Sequence, residues 1–149
     1  MKSSGRRTLA YFDTSVIVKN YIRERGSDRA RRLLRSHRVA TSAIAALETV
    51  SAFRRNLAAN VIDDTSYSAI LNRFQKDRAK LDILELTDTI LETSEQYIST
   101  YNVRSLDAIH LATAMAASVR FPKQIPFITS DSGQSEVARQ LGLKVVWVE

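Results

Sequence analysis

Leu9-Ala10-Tyr11-Phe12-Asp13-Thr14-Ser15-Val16-Ile17-Val18 opens as a short apolar run with two aromatics, the composition of a buried strand. It then meets an acid and two hydroxyl residues, and a segment of helix-like apolar spacing begins, with Val16, Ile17 and Tyr21 on one face. An acid at the carboxyl end of a first strand, facing a helix start, sits where open α/β sheets place their ligands.

The rest of the chain alternates in the same way. Thr8 to Phe12 is the expected first strand and Thr14 to Ile22 the first helix. Gly26-Ser27-Asp28 breaks the chain and caps a helix to Ser36, and Arg38 to Thr41 is a second strand. Ser42 is the expected N-cap of a long helix to about Asn60, with Ile44, Leu47, Val50 and Leu57 as its apolar stripe. Asp63-Asp64-Thr65 starts another helix, in which Tyr67, Ile70, Leu71 and Phe74 recur at three and four. Leu81 to Leu86 reads as a strand. Thr87 or Asp88 then caps a helix that stops at Asn102, and Ser105 caps the helix Leu106 to Ser118, apolar nearly all round and therefore central. Pro122 and Pro126 fence a loop, and Ile125 to Thr129, a helix Gln134 to Leu141 closed by Gly142, and a strand Lys144 to Val148 complete the chain. Strand and helix repeated in this order predict an α/β fold with a parallel sheet covered on both faces, in a single domain spanning residues 1–149.

Composition narrows the function classes. The 149 residues include no cysteine, which excludes a disulfide framework and thiolate metal sites. Lys2, Arg6 and Arg7 precede only a short strand-like run rather than a secretory apolar region, and no stretch is long enough to span a bilayer, so the expected location is the cytoplasm. Lysine and arginine number 22 against 16 acids, a formal charge of +6 that suits a polyanion partner. Arg23, Arg25, Arg29, Arg31, Arg32, Arg35 and Arg38 crowd one region with His37, and Arg54 and Arg55 form a second pair. Guanidinium forks bind phosphate oxygens in pairs, although the same surface suits an acidic protein.

Four acids stand out. Asp13 ends the first strand. Glu48 is the one charge in the small-residue stretch Ser42 to Phe53. Ionised, buried and unpaired there, it would cost several kcal/mol, so it needs a basic partner, a hydrogen-bond cage or a cation, unless it is a partly exposed residue of an Ala-rich helix. Asp107 lies in the first turn of the most apolar helix, where it either complements the helix dipole or serves a site. Asp131 directly follows a strand, as a turn or N-cap residue or as a partner of Asp13 at the same sheet edge. Carboxylates converging in one cleft repel each other unless a cation or protons intervene. Hard oxygen donors without cysteine suit Mg²⁺ or Mn²⁺ better than Zn²⁺, and such an ion beside a basic surface points to phosphoryl chemistry on a nucleic acid. His110 reads as a packed, hydrogen-bonded core histidine, and Trp147 as a strand residue at the sheet edge. A haloacid-dehalogenase-type enzyme would carry an aspartate where Ser15 stands, and no acidic pair suits a receiver domain.

Tyr11-Phe12-Asp13-Thr14-Ser15, the Ser42 to Glu48 stretch, Ser105-Leu106-Asp107-Ala108-Ile109-His110-Leu111-Ala112-Thr113-Ala114, and Phe127-Ile128-Thr129-Ser130-Asp131 with Gly142-Leu143 resemble the PIN-domain ribonucleases, and within them the VapC-like toxins of toxin–antitoxin pairs. The resemblance covers nearly the whole chain, and the third block is its most specific part. It implies a three-layer α/β/α sandwich around a five-stranded parallel sheet, and metal-dependent endonucleolytic cleavage of RNA. Asp13, Glu48, Asp107 and Asp131 fall on the family's acidic quartet, Thr14 and Ser15 where hydroxyls support the first acid, and Thr129 where a hydroxyl precedes the last acid by two. The implied cofactor is one or two Mg²⁺ or Mn²⁺ ions, with Asp13 and Asp107 as primary ligands, Glu48 as a ligand or a base orienting water, and Asp131 as a second-site or water-mediated ligand. A cognate antitoxin and a homodimer are also implied, and the apolar positions of the Tyr67–Phe74 helix are candidates for part of the dimer interface. Ser132-Gly133-Gln134 departs from the family pattern over the site. A non-catalytic module that keeps the fold and binds RNA or an antitoxin is the alternative.

Overall fold

The computed structural model describes residues 6–121 and 123–149; Lys2 and Pro122, both used in the sequence reading, lie outside them. Five strands, β1 (Leu9–Phe12), β2 (Arg38–Ser42), β3 (Asp82–Leu84), β4 (Pro126–Thr129) and β5 (Lys144–Trp147), form one sheet in the order β3-β2-β1-β4-β5. Every pairing is parallel, with Ala10 opposite Val39 and Phe12 opposite Ile128. The seven helices are α1 (Thr14–Val18), α2 (Ser27–Ser36), α3 (Ala45–Ala58), α4 (Asp64–Asp77), α5 (Asp88–Tyr101), α6 (Ser105–Arg120) and α7 (Ser132–Gln140).

The alternation of side chains along each strand divides the core into two layers. Ala10, Phe12 and Ile128 point to one face, where they pack with Val16, Ile17, Ala30, Phe53 and Phe74 of α1 to α4. Tyr11 and Phe127 point to the other, against Leu111, Ala114 and Val137 of α6 and α7. Both faces are covered, which is why β1 reads as an unbroken apolar run. The three-layer α/β/α sandwich with a five-stranded parallel sheet is therefore the observed architecture.

Several element ends differ from the sequence reading for physical reasons. The first helix stops at Val18, and Ile22 returns its side chain to the core from the turn that follows. Ser42 does not cap α3: it is fully buried as the last residue of β2, and the helix starts three residues later. The buried face of α3 is Ala45, Thr49, Ala52 and Phe53, while Leu47 is 75% exposed. Tyr67, Ile70 and Leu71 of α4 pack on the core of their own chain beside Phe74. Thr87 caps α5 as expected, accepting from the Ile90 amide, and Asn102 ends it with a left-handed φ of 54°. Trp147 ends the edge strand β5. Gly26 has a φ of 85°, and a Cβ there would lie 1.5 Å from the Glu149 carbonyl oxygen, so only glycine lets the last residue pass over it.

Candidate active site

From β1 the chain fills the sheet to one side, through α1 and α2 to β2 and later to β3, while β4 and β5, from later in the chain, lie on the other side. The gap at the carboxyl ends of β1 and β4 is thus the topological switch point. Asp13 sits there with its backbone N–H donating to Ile128 O of β4, 2.9 Å away. Glu48 arrives in the first turn of α3, Asp107 in the first turn of α6, and Asp131 one residue before α7. All four line one cleft of about 430 Å³, rimmed by Lys19, Arg55 and Arg104.

Asp13 is 5% exposed and held on both oxygens. The Ser15 hydroxyl donates to Oδ2, and Thr129 Oγ1 lies 3.1 Å from the same atom. Oδ1 faces Gln134 Nε2 at 3.4 Å and His110 Nε2 at 3.6 Å. Ser15 also accepts from the Ser130 amide, which ties the start of α1 to the end of β4. The three supporting hydroxyls expected from the sequence therefore lie against the acids, Thr14 on Glu48 rather than on Asp13: its hydroxyl donates to Glu48 Oε1 at 2.7 Å.

His110 is buried and hydrogen-bonded, as read from the sequence, but its partners are site residues. Nε2 is 2.6 Å from Glu48 Oε1 and Nδ1 is 2.7 Å from the Tyr11 hydroxyl. The pair compensates a glutamate that the small-residue stretch leaves without one. Burial alone pushes Glu48 up, yet the His110 bond and charge and the Thr14 hydroxyl outweigh it and hold the carboxyl below its ordinary range. Burial alone pulls His110 down, and the Glu48 hydrogen bond with the charges of Asp13, Glu48 and Asp107 reverses this. Asp107 is raised, first by burial and then by Asp131, with Arg104 opposing.

The His110–Glu48 pair carries a pH signature. A raised histidine pKa contributes stability that is complete below its ordinary value of 6.5 and is lost as pH climbs through the folded value. A lowered glutamate pKa contributes above its ordinary value of 4.5 and is lost as pH falls through the folded value. In EDTA-treated protein the urea midpoint should therefore hold between these limits and decline on the alkaline side. Glu48→Gln should flatten that decline without abolishing it, since Asp13 still faces the imidazole. An unchanged alkaline slope in Glu48→Gln would contradict the pairing.

Asp131 combines both readings made of it: Oδ1 caps α7 by accepting from the Gln134 amide at 2.8 Å, while Oδ2 receives Arg104 at 3.3 Å. Arg104 also donates to Asp107 at 3.0 Å. Among the described residues no three acid or histidine side chains already converge on one point, because Glu48 is turned to His110 and Asp131 to Arg104 and its own helix. The donor set nonetheless fits a hard divalent cation: carboxylate oxygens backed by hydroxyls, one of them, Asp107, raised first by burial and then by the neighbouring carboxylate charge of Asp131, which a cation would offset.

Gln134, Arg104, Lys19 and Tyr11 were not signalled as site residues by spacing. Gln134 was visible only as a polar residue where the pattern departs from the family. The arginine-rich stretch divides: Arg31, Arg35 and Arg38 line a separate pocket of about 300 Å³ with Arg7, His37 and Lys80, at the amino ends of β1 and β2 and therefore at the far end of the sheet from the acids. No described helix is long and apolar enough to cross a membrane.

Comparison with known proteins gives the family of the chain. The chain is 32% identical over 137 residues to Ribonuclease VapC46 of Mycobacterium tuberculosis, covering 91% of this chain and 95% of that one. The fold matches FitAcB from Neisseria gonorrhoeae with a TM-score of 0.67 at 20% identity, over 93% and 96% of the two chains. It matches a toxin–antitoxin complex from Klebsiella pneumoniae with a TM-score of 0.60 at 21% identity, over 83% and 87%. The profile of the PIN domain family matches residues 10–140, a span that holds all but the first residue of β1, the cleft and all four acids, and the chain belongs to that family.

Proposed function

We propose that this protein is a Mg²⁺- or Mn²⁺-dependent endoribonuclease and the toxin of a toxin–antitoxin pair. The observation that carries the reading is that Asp13, Glu48, Asp107 and Asp131 line one cleft, in a chain 32% identical to a curated ribonuclease. Asp13 and Asp107 are the residues to hold the cation, with Glu48 and Asp131 reaching it directly or through water. When bound, the ion supplies an activated water and neutralises charge on the scissile phosphate. The chain's own residues do the rest. Ser15 and Thr129 fix the Asp13 carboxylate, and Thr14 and His110 fix Glu48. Glu48 orients the water more readily than it takes its proton, because a carboxyl held below its ordinary range is a poor base near neutral pH. Arg55 and Arg104 line the cleft with charge suited to phosphate oxygens, while Lys19 is buried and paired with Glu24.

The partners proposed are an RNA substrate, a cognate antitoxin and a second copy of the chain. Leu47 and Leu106, each beside a site acid in sequence, are 75% and 48% exposed and offer an apolar rim to a protein that covers the cleft. Phe74 is buried within the chain, whereas Tyr67, Ile70 and Leu71 are only partly covered by its core and leave area for a second copy. Purified protein should cleave RNA with Mn²⁺ or Mg²⁺, lose cleavage in EDTA, and regain it on adding Mn²⁺. Cleavage that persists in excess EDTA would overturn metal dependence. RNA binding with no cleavage under either metal would favour the non-catalytic module.

A further inference from the structure

Gln134 is 1% exposed, a polar side chain inside the acidic centre that the quartet does not account for. Its Nε2 lies 3.4 Å from Asp13 Oδ1 and 3.3 Å from Asp107 Oδ1, so one amide group spans the two acids. Its Oε1 is 3.0 Å from Thr129 Oγ1, and its backbone N–H is fixed on Asp131. The orientation of the amide follows from its neighbours. The nitrogen faces two acceptor-only carboxylates and the oxygen faces a hydroxyl; the reverse would set oxygen against oxygen. Both carboxylate contacts are longer than the usual N–H···O bond of about 2.9 Å. They are weak, and the Nε2 atom lies between the oxygens a shared cation would need.

We propose that Gln134 is a placeholder for the cation: its amide nitrogen bridges Asp13 and Asp107 in the metal-free protein and must give way when a divalent ion bridges them, which lowers the affinity of the site. This rests on the reading that those two acids hold the cation. The side chain is a positioning residue of the metal-free state. It stabilises two adjacent carboxylates that would otherwise repel, and that stabilisation is subtracted from cation binding. A merely structural glutamine would act oppositely, since losing it would loosen the acids and weaken the ion.

The test is Mn²⁺ titration by calorimetry or by electron paramagnetic resonance, without RNA, on the wild type, Gln134→Leu and Gln134→Met, with melting temperatures in EDTA and in saturating Mn²⁺. Both variants keep a buried side chain of similar size, so the second holds if the first folds poorly. The expected result is a lower melting point in EDTA, a larger rise on adding Mn²⁺, and a Mn²⁺ dissociation constant tightened by about tenfold, the equivalent of one hydrogen bond to a charged group. Weaker Mn²⁺ binding in both variants would make Gln134 a ligand or a structural support, and unchanged binding would make it a bystander; either overturns the placeholder and leaves the metal site standing. No Mn²⁺ binding by the wild type overturns the metal site and the placeholder together.

Discussion

Asp13→Asn should leave a folded protein that cleaves RNA about a thousandfold more slowly, the upper end of what losing one preorganised electrostatic group costs an active site. Asparagine has the shape of aspartate, and its oxygen can still accept from Ser15 or Thr129, which hold Oδ2 of the native residue. The negative charge is gone, and with it one of the two acids tied through Gln134. The same change removes one of the charges that push Asp107 up, so the melting point in EDTA should stay level or rise. Activity and stability thus move in opposite directions, which separates a lost function from a lost fold. Cleavage within a few-fold of wild type, in a variant with native stability, would remove Asp13 from the mechanism. Asp107→Asn should behave in the same way, but it also weakens one of the two carboxylate contacts of Arg104, leaving the one to Asp131.

The largest effect on stability is expected away from the acids. Phe53 is fully buried on α3, one turn and a half beyond Glu48 on the same helix. Its ring meets Tyr21 edge-on at 5.4 Å and Phe74 at 5.8 Å, and Tyr21 and Phe74 are 5.5 Å apart, so three rings close on one another between the turn after α1, α3 and α4. Phe53→Ala should cost about 3–5 kcal/mol, as transfer and cavity costs add where the surrounding rings cannot collapse. For a chain of this size that is a drop in melting temperature of roughly 10 °C. Calorimetry checks it, and a loss of less than about 1 kcal/mol would mean that the aromatic cluster relaxes around the gap. Phe53→Leu should recover most of the difference. Tyr21 also donates its hydroxyl to Asp77 at 2.7 Å, so the cluster is anchored at its polar edge and cannot slide as a unit.

The order of strands and helices is legible in the sequence because each strand is an apolar run and each helix has a cap or stop with a local mechanism. Thr87, Asn102 and Gly142 mark their boundaries by hydrogen bonding or by left-handed backbone, properties that need only neighbouring residues. Ser42 misleads because its hydroxyl suits a cap, while its position is decided by pairing with Leu84 across the sheet, which no local pattern records. The four acids are legible one at a time as anomalies, and their gathering in one cleft follows from the parallel topology. The remaining site residues are not legible. His110 looks like an ordinary residue of a buried helix, and only the fold brings Glu48 to its ring. Arg104 is a solvent-facing residue before a helix until Asp131 arrives beside it. Gln134 stands in a polar stretch, and burial inside the acidic centre is a tertiary fact.

β1, which carries Asp13, is flanked by β2 from the next segment of chain and by β4 from the last third. During synthesis Asp13 emerges early, whereas Thr129, Asp131 and Gln134 emerge much later. Until β4 docks, Asp13 lacks the Thr129 hydroxyl, the Gln134 amide and the backbone bond to Ile128. Closing this long-range pairing is the slow kind of step in folding. A nascent chain would therefore hold an incomplete cleft until β4 and the start of α7 have emerged and docked, so the site is a product of the whole fold and not of the segment that carries its first acid.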